Sequence, residues 1–100
     1  MIEQLVKIEK SKAINKKYAA IVFNKITKKL RRINFGDSRY ENFKDSTGLG
    51  LFTSKNHGDR KRRKAYFMRH SGVSSKIEAV KKERLSGKYS AKLLSHMYLW

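Results

Sequence analysis

Apolar and polar positions change their rhythm about a third of the way along the chain, and again near residue 59. Residues 2–9 alternate weakly, with Ile2, Gln4, Val6 and Ile8 on one parity and Leu5 among charges on the other. This predicts a short strand whose buried edge holds Val6 and Ile8. Lys10 to Lys17 is polar and reads as a loop. Tyr18 to Phe23 is apolar at every position and rich in aromatic and β-branched residues, the pattern of a strand covered on both faces. Asn24 to Lys28 then serves as a hairpin connection without an Asn-Gly signature. Lys29 to Phe35 alternates again, predicting Ile33 and Phe35 inward and Arg32 outward, up to a stop at Gly36-Asp37-Ser38.

Residues 36–58 have no sustained period. They are rich in Gly, Ser, Asp and Asn, yet carry Tyr40, Phe43, Leu49, Leu51 and Phe52. A segment of that length is long for an irregular connection in a small domain, and its aromatics predict that it packs against something. Gly48-Leu49-Gly50 lacks the strand–turn–helix setting of a dinucleotide fingerprint.

From residue 59 the punctuation is helical. Asp59 is an N-cap for a helix running to His70 and stopping at Ser71-Gly72. Ser75-Lys76-Ile77-Glu78 is a capping box opening a second helix that ends at Ser86-Gly87. A third opens at Ser90, with Tyr89 and Leu94 placed as a hydrophobic staple. The expected fold class is α+β: a small antiparallel β-sheet at the N-terminal end (1–35), a long Gly/aromatic loop (36–58), then two or three short helices (59–100). One hundred residues argue for a single basic domain, 1–100.

Charge changes the picture most. The chain has 25 Lys+Arg against 8 Asp+Glu, a formal net charge of +17. Residues 1–56 contribute +8 and residues 57–100 contribute +9, so the charge belongs to the folded domain and not to an arm. Self-repulsion on this scale calls for an anionic partner: nucleic acid, an acidic protein or an anionic membrane surface. Its densest point is Arg60-Lys61-Arg62-Arg63-Lys64. At about 100° per residue these cations ring a helix. They are the expected anion- or partner-binding residues, joined by Arg69 and by Arg31 and Arg32 from the sheet. Tyr40, Phe43, Tyr66 and Phe67 lie among cations as in a single-strand stacking platform, although core packing is the plainer use of such residues. Tyr40, Phe43 and the terminal Trp100 are the candidates for stacking or partner contact.

Other chemistry is thin. There is no Cys, which excludes disulfides, thiolate metal sites and thiol nucleophiles, and fits an intracellular setting. His57, His70 and His96 form no zinc spacing. A nuclease-like grouping of His57, Asp59 and His70 is conceivable, but carboxylates are scarce. No Gly-x-Ser-x-Gly elbow exists, and neither a secretory signal nor an apolar run long enough for a bilayer is visible. The expectation is a protein that is not an enzyme, with no cofactor, no metal and no small-molecule substrate.

Phe35-Gly36, Tyr40, Phe43, His57, Asp59, Arg63, Tyr66, Arg69-His70, Ser95 and Leu99-Trp100 together resemble an uncharacterised family of small basic proteins encoded by large nucleocytoplasmic DNA viruses of algae and amoebae. The resemblance covers roughly residues 17–100. Members of that family continue past Leu-Trp with a short polar tail, whereas this chain ends at Trp100. The resemblance implies a virion location, with a host-intracellular phase during assembly. It turns the charge into two expectations. The first is a small basic virion structural protein, a minor capsid or shell-associated component neutralised by acidic capsid proteins or a membrane surface. The alternative is sequence-independent binding of viral DNA or RNA.

Overall fold

The computed structural model describes residues 1–100 and has α+β architecture. Three antiparallel strands, β1 (Glu3–Lys10), β2 (Lys16–Asn24) and β3 (Leu30–Asp37), form a meander in the order β1-β2-β3. Three helices follow the long connection: α1 (Arg60–Ser71), α2 (Lys76–Arg84) and α3 (Ala91–Tyr98).

The central strand is covered on both faces, as its continuous apolar pattern predicts. Tyr18, Ala20 and Val22 enter the main core with Ile33 and Phe35 of β3, Leu93 and Leu94 of α3, and Leu99. On the other face, Glu9, Ala19 and Asn34 form one cross-strand row, and Lys7, Ile21 and Arg32 form the next. Lys7 and Arg32 are both paired with Glu9 across this face. The β2–β3 turn is closed by Asn24, whose side-chain oxygen accepts the amides of Ile26 (2.9 Å) and Thr27 (3.0 Å).

One strand residue departs from the alternation. Val6 is 55% exposed, while Leu5 and Ile8 pack against the core. The cause is a β-bulge: Leu5 pairs with Val22 and Lys7 with Ile21, so Val6 has no partner and the facing parity switches there.

Helix boundaries follow their caps. The Asp59 carboxylate accepts the amides of Lys61 and Arg62, and Gly72 closes α1 in the left-handed conformation. Ser75 accepts the Glu78 amide, and Ser90 accepts that of Leu93. Tyr89 and Leu94 share the main core, as a staple requires. A smaller cluster, Tyr66, Phe67 and Ala79, joins α1 to α2.

The long connection is ordered by buried polar groups. Asp45 accepts the Tyr18 hydroxyl, the Thr47 hydroxyl (2.6 Å) and the amides of Thr47 (3.1 Å) and Phe52 (3.2 Å). Fully buried Asn42 donates to Asn56 and forms an isolated parallel bridge with it. A single 3-10 turn, Thr53–Lys55, lies between them.

Candidate anion-binding site

The five consecutive cations of α1 fan outward as their spacing dictates, and they do not share one fate. Arg60, Arg63 and Lys64, at spacings of three and four, fall on one helix face. They meet Ser74, Ser75 and Lys76 at the start of α2, and together they line a cleft of about 370 Å³. No carboxylate lines it. The Lys76 ammonium is held below its ordinary range, first by burial and then by the neighbouring Arg63 guanidinium. The Lys76 ammonium donates to the Met97 carbonyl at 3.2 Å and has no carboxylate partner, so the like charge of Arg63 beside it is uncompensated, an arrangement that an external anion relieves.

Arg63 is also part of the packing. Its guanidinium lies 4.6 Å from the Phe43 ring centroid and 6.0 Å from that of Phe67. Phe43 is therefore a platform for an arginine and not a free stacking surface. Arg62 points away from the cleft and pairs with Glu41 at 3.5 Å. Lys61 is exposed and lines no cleft. Tyr66 and Phe67 are buried in the smaller core cluster.

Arg69 sits at the other end of α1, in a second cleft of about 380 Å³ that also gathers Tyr40, His70, Ser95 and Trp100. Trp100 lies flat on Tyr66, with centroids 4.2 Å apart and planes 4° from parallel. Lys17 forms part of this wall although it is only 2% exposed. Its ammonium donates to Asn42 Oδ1 at 2.6 Å. Burial, followed by repulsion from Lys55, brings it down to about 8. Tyr40 is exposed, with the Arg39 guanidinium 5.7 Å from its ring centroid.

Arg31 and Arg32 do not join the α1 cations. Arg32 lies on the sheet face opposite the helices and is paired with Glu9. Arg31 holds the buried Glu3 carboxylate and the Tyr89 carbonyl. Both are committed to contacts within the fold because β1 supplies carboxylates beside them.

A grouping of His57, Asp59 and His70 is ruled out by α1 itself. Asp59 caps its first turn and His70 lies in its last, about 16 Å away at 1.5 Å per residue. His57 instead accepts the Asp59 amide at Nδ1 (2.9 Å) and packs 5.2 Å from the Trp100 ring.

Two site residues were not legible in the sequence. Lys76 follows a capping serine, so its place at a helix start was readable, but not its meeting with Arg63. Lys17 stands in a polar run and gives no sign of burial. Comparison of the chain with protein-family models, with curated proteins and with solved structures yields no match.

Proposed function

We propose that the protein is a small basic structural component of a virion, a minor capsid or shell-associated element. In this reading its α1–α2 cations rest against carboxylate-bearing surfaces of neighbouring capsid proteins. The observation that carries this reading is the carboxylate-free cleft in which Arg60, Arg63, Lys64 and Lys76 converge. Only six cations of the whole chain are paired with carboxylates, so the uncompensated charge is large. The viral setting rests on the resemblance of residues 17–100 described above. An acidic protein is favoured over phosphate because the cleft runs into exposed apolar surface: Ile77 and Lys76 line both the cleft and an adjoining apolar groove. Nucleic-acid backbones offer nothing to bury there.

Sequence-independent nucleic-acid binding is the second reading, favoured by the spread of unpaired cations over both halves of the chain. One experiment separates the two. Purified protein is titrated with poly-glutamate, with duplex DNA and with anionic vesicles across a range of salt. Binding of poly-glutamate at physiological salt, together with stoichiometric copies in nuclease-treated virions of the encoding virus, supports the structural role. Binding of DNA alone, with a steep salt slope, overturns it.

A further inference from the structure

Helix α2 is built inside out. The residue it buries completely is Ala79, against Tyr66 and Phe67 of α1. Its large apolar residues point the other way: Ile77 is 80% exposed and Leu85, at its C-cap, is 83% exposed. Ile77, Val80, Lys81, Arg84 and Leu85 follow the i, i+3, i+4, i+7, i+8 spacing of one helix face. Val80 and Met97 of α3 are partly buried, rest on the main core and form the floor between the two helices. The result is an open groove of about 660 Å³ with apolar walls and a cationic rim. Neither Lys81 nor Arg84 is paired with a carboxylate.

From this we infer that the α2–α3 groove is the docking site for an acidic amphipathic helix of a partner protein, an inference that rests on the acidic-protein reading above. The apolar edge of the partner helix fills the space over Val80 and Met97, and its flanking carboxylates meet Lys81 and Arg84. Charge selects this occupant. A second copy of the chain would bring another +17 to the same face. The groove is continuous, through Lys76 and Ile77, with the cationic cleft that the acidic-protein reading assigns to a protein partner. Its stripe covers nine residues, about 12 Å of helix axis, which matches two turns of a partner read at i, i+3 or i+4, and i+7.

The test uses two synthetic peptides of roughly 18 residues, about five helical turns, with identical composition. One has leucines on a single helical face flanked by glutamates; its isomer distributes the leucines around the helix. Affinities are measured for the full chain by fluorescence anisotropy at about 150 mM salt, with poly-glutamate in parallel. The patterned peptide is expected to bind about ten-fold more tightly than its isomer and to shift the methyl resonances of Ile77, Leu85 and Met97. The double variant Ile77→Ser/Leu85→Ser changes two exposed side chains and keeps the fold. It should lose that ten-fold preference, and the single variant Leu85→Ser, whose side chain lines the groove and not the cationic cleft, should lose part of it and leave poly-glutamate binding unaltered. Equal affinity for the two peptides, or indifference to the double variant, overturns the groove assignment alone. Failure of all three polyanions to bind overturns the acidic-protein reading as well. Vesicle binding that only the double variant loses, without peptide preference, assigns the face to a membrane. Self-association abolished by the double variant assigns it to a second copy. Either result overturns the proposal.

Discussion

The guanidinium of Arg31 holds the carboxylate of Glu3 through two hydrogen bonds, 2.7 Å from Nε and 2.9 Å from Nη2. Glu3 is 3% exposed and also accepts the Tyr89 amide at 2.7 Å. The pair therefore ties the first strand to the third and both to the start of α3. Removing Arg31 leaves a carboxylate buried with a single backbone donor. Arg31→Gln is expected to lower unfolding free energy by about 2–3 kcal/mol, below the range for fully buried pairs because Arg31 is half exposed. Urea denaturation measures this. Its affinity for polyanions should change no more than one distant charge would allow. An Arg31→Gln variant as stable as wild type would return Arg31 to the binding surface.

That residue also illustrates what the chain discloses and what it hides. Strands, caps and helix ends are written in local patterns, so β2, Asp59, Gly72, Ser75 and Ser90 could be placed from sequence. The bulge at Val6 could not, because nothing local marks which residue of a strand lacks a partner. The aromatics of the long connection announce that it packs, but not what holds it in place. Its order comes from Asn42, Asp45 and Asn56, polar residues that are typical of loops and bond inward only because Tyr18 and Lys17 lie beneath them. Likewise, a run of five cations shows that charge is dense. Which of them share a face with Lys76 depends on how α1 crosses α2.

Gly36 is the glycine that the packing requires most. Its φ is +76°, and a Cβ there would stand 2.6 Å from Leu99 Cδ1 and 3.3 Å from the buried Lys17 side chain. Gly36→Ala combines left-handed strain with a clash in the core, and is expected to cost about 2–4 kcal/mol. Gly58→Ala is the control: its φ is +62° but nothing lies within 4 Å, so it carries only the backbone cost of about 1 kcal/mol. Thermal denaturation of both variants separates the two contributions. Equal losses would show that the contact with Leu99 is readily relieved.

His96 is completely buried, with Nδ1 2.8 Å from the Tyr66 hydroxyl and Nε2 2.7 Å from the Ser71 hydroxyl. Burial first, and then the neighbouring His70, Lys92 and Lys76, brings its imidazole from 6.5 down to about 4. Between those values the unfolded chain binds the proton more readily than the folded one. Stability contributed by neutral His96 is thus complete above pH 6.5 and falls as pH drops towards 4, by on the order of 3 kcal/mol. Glu3 and Asp45, whose carboxyls are held below their ordinary values, lose stability only at lower pH. Denaturation midpoints between pH 4 and 7 should therefore show a slope that His96→Gln flattens. A slope unchanged in that variant would assign it to other groups.

The cationic cleft is best probed through Arg60 and Lys64. Arg63 is the wrong choice, because its stacking on Phe43 makes Arg63→Gln a stability variant as well. Arg62 is a weak one, since Glu41 already offsets its charge. Arg60 and Lys64 have no carboxylate partner and sit at the exposed mouth of the cleft. Removing both, as Arg60→Gln/Lys64→Gln, should leave the unfolding free energy within about 0.5 kcal/mol of wild type, as surface changes do. It should weaken poly-glutamate binding several-fold at low salt. If DNA occupies the same cleft, its log–log salt slope should fall by about two, one for each lost phosphate contact. Removing the similarly exposed Lys25 and Lys28 from the β2–β3 turn supplies the comparison, because it changes net charge equally without touching the cleft. If both pairs weaken binding alike, the chain acts as a diffuse polycation and the α1–α2 cleft has no special standing. A larger effect for Arg60 and Lys64 locates the anion in the cleft that they line with Arg63 and Lys76.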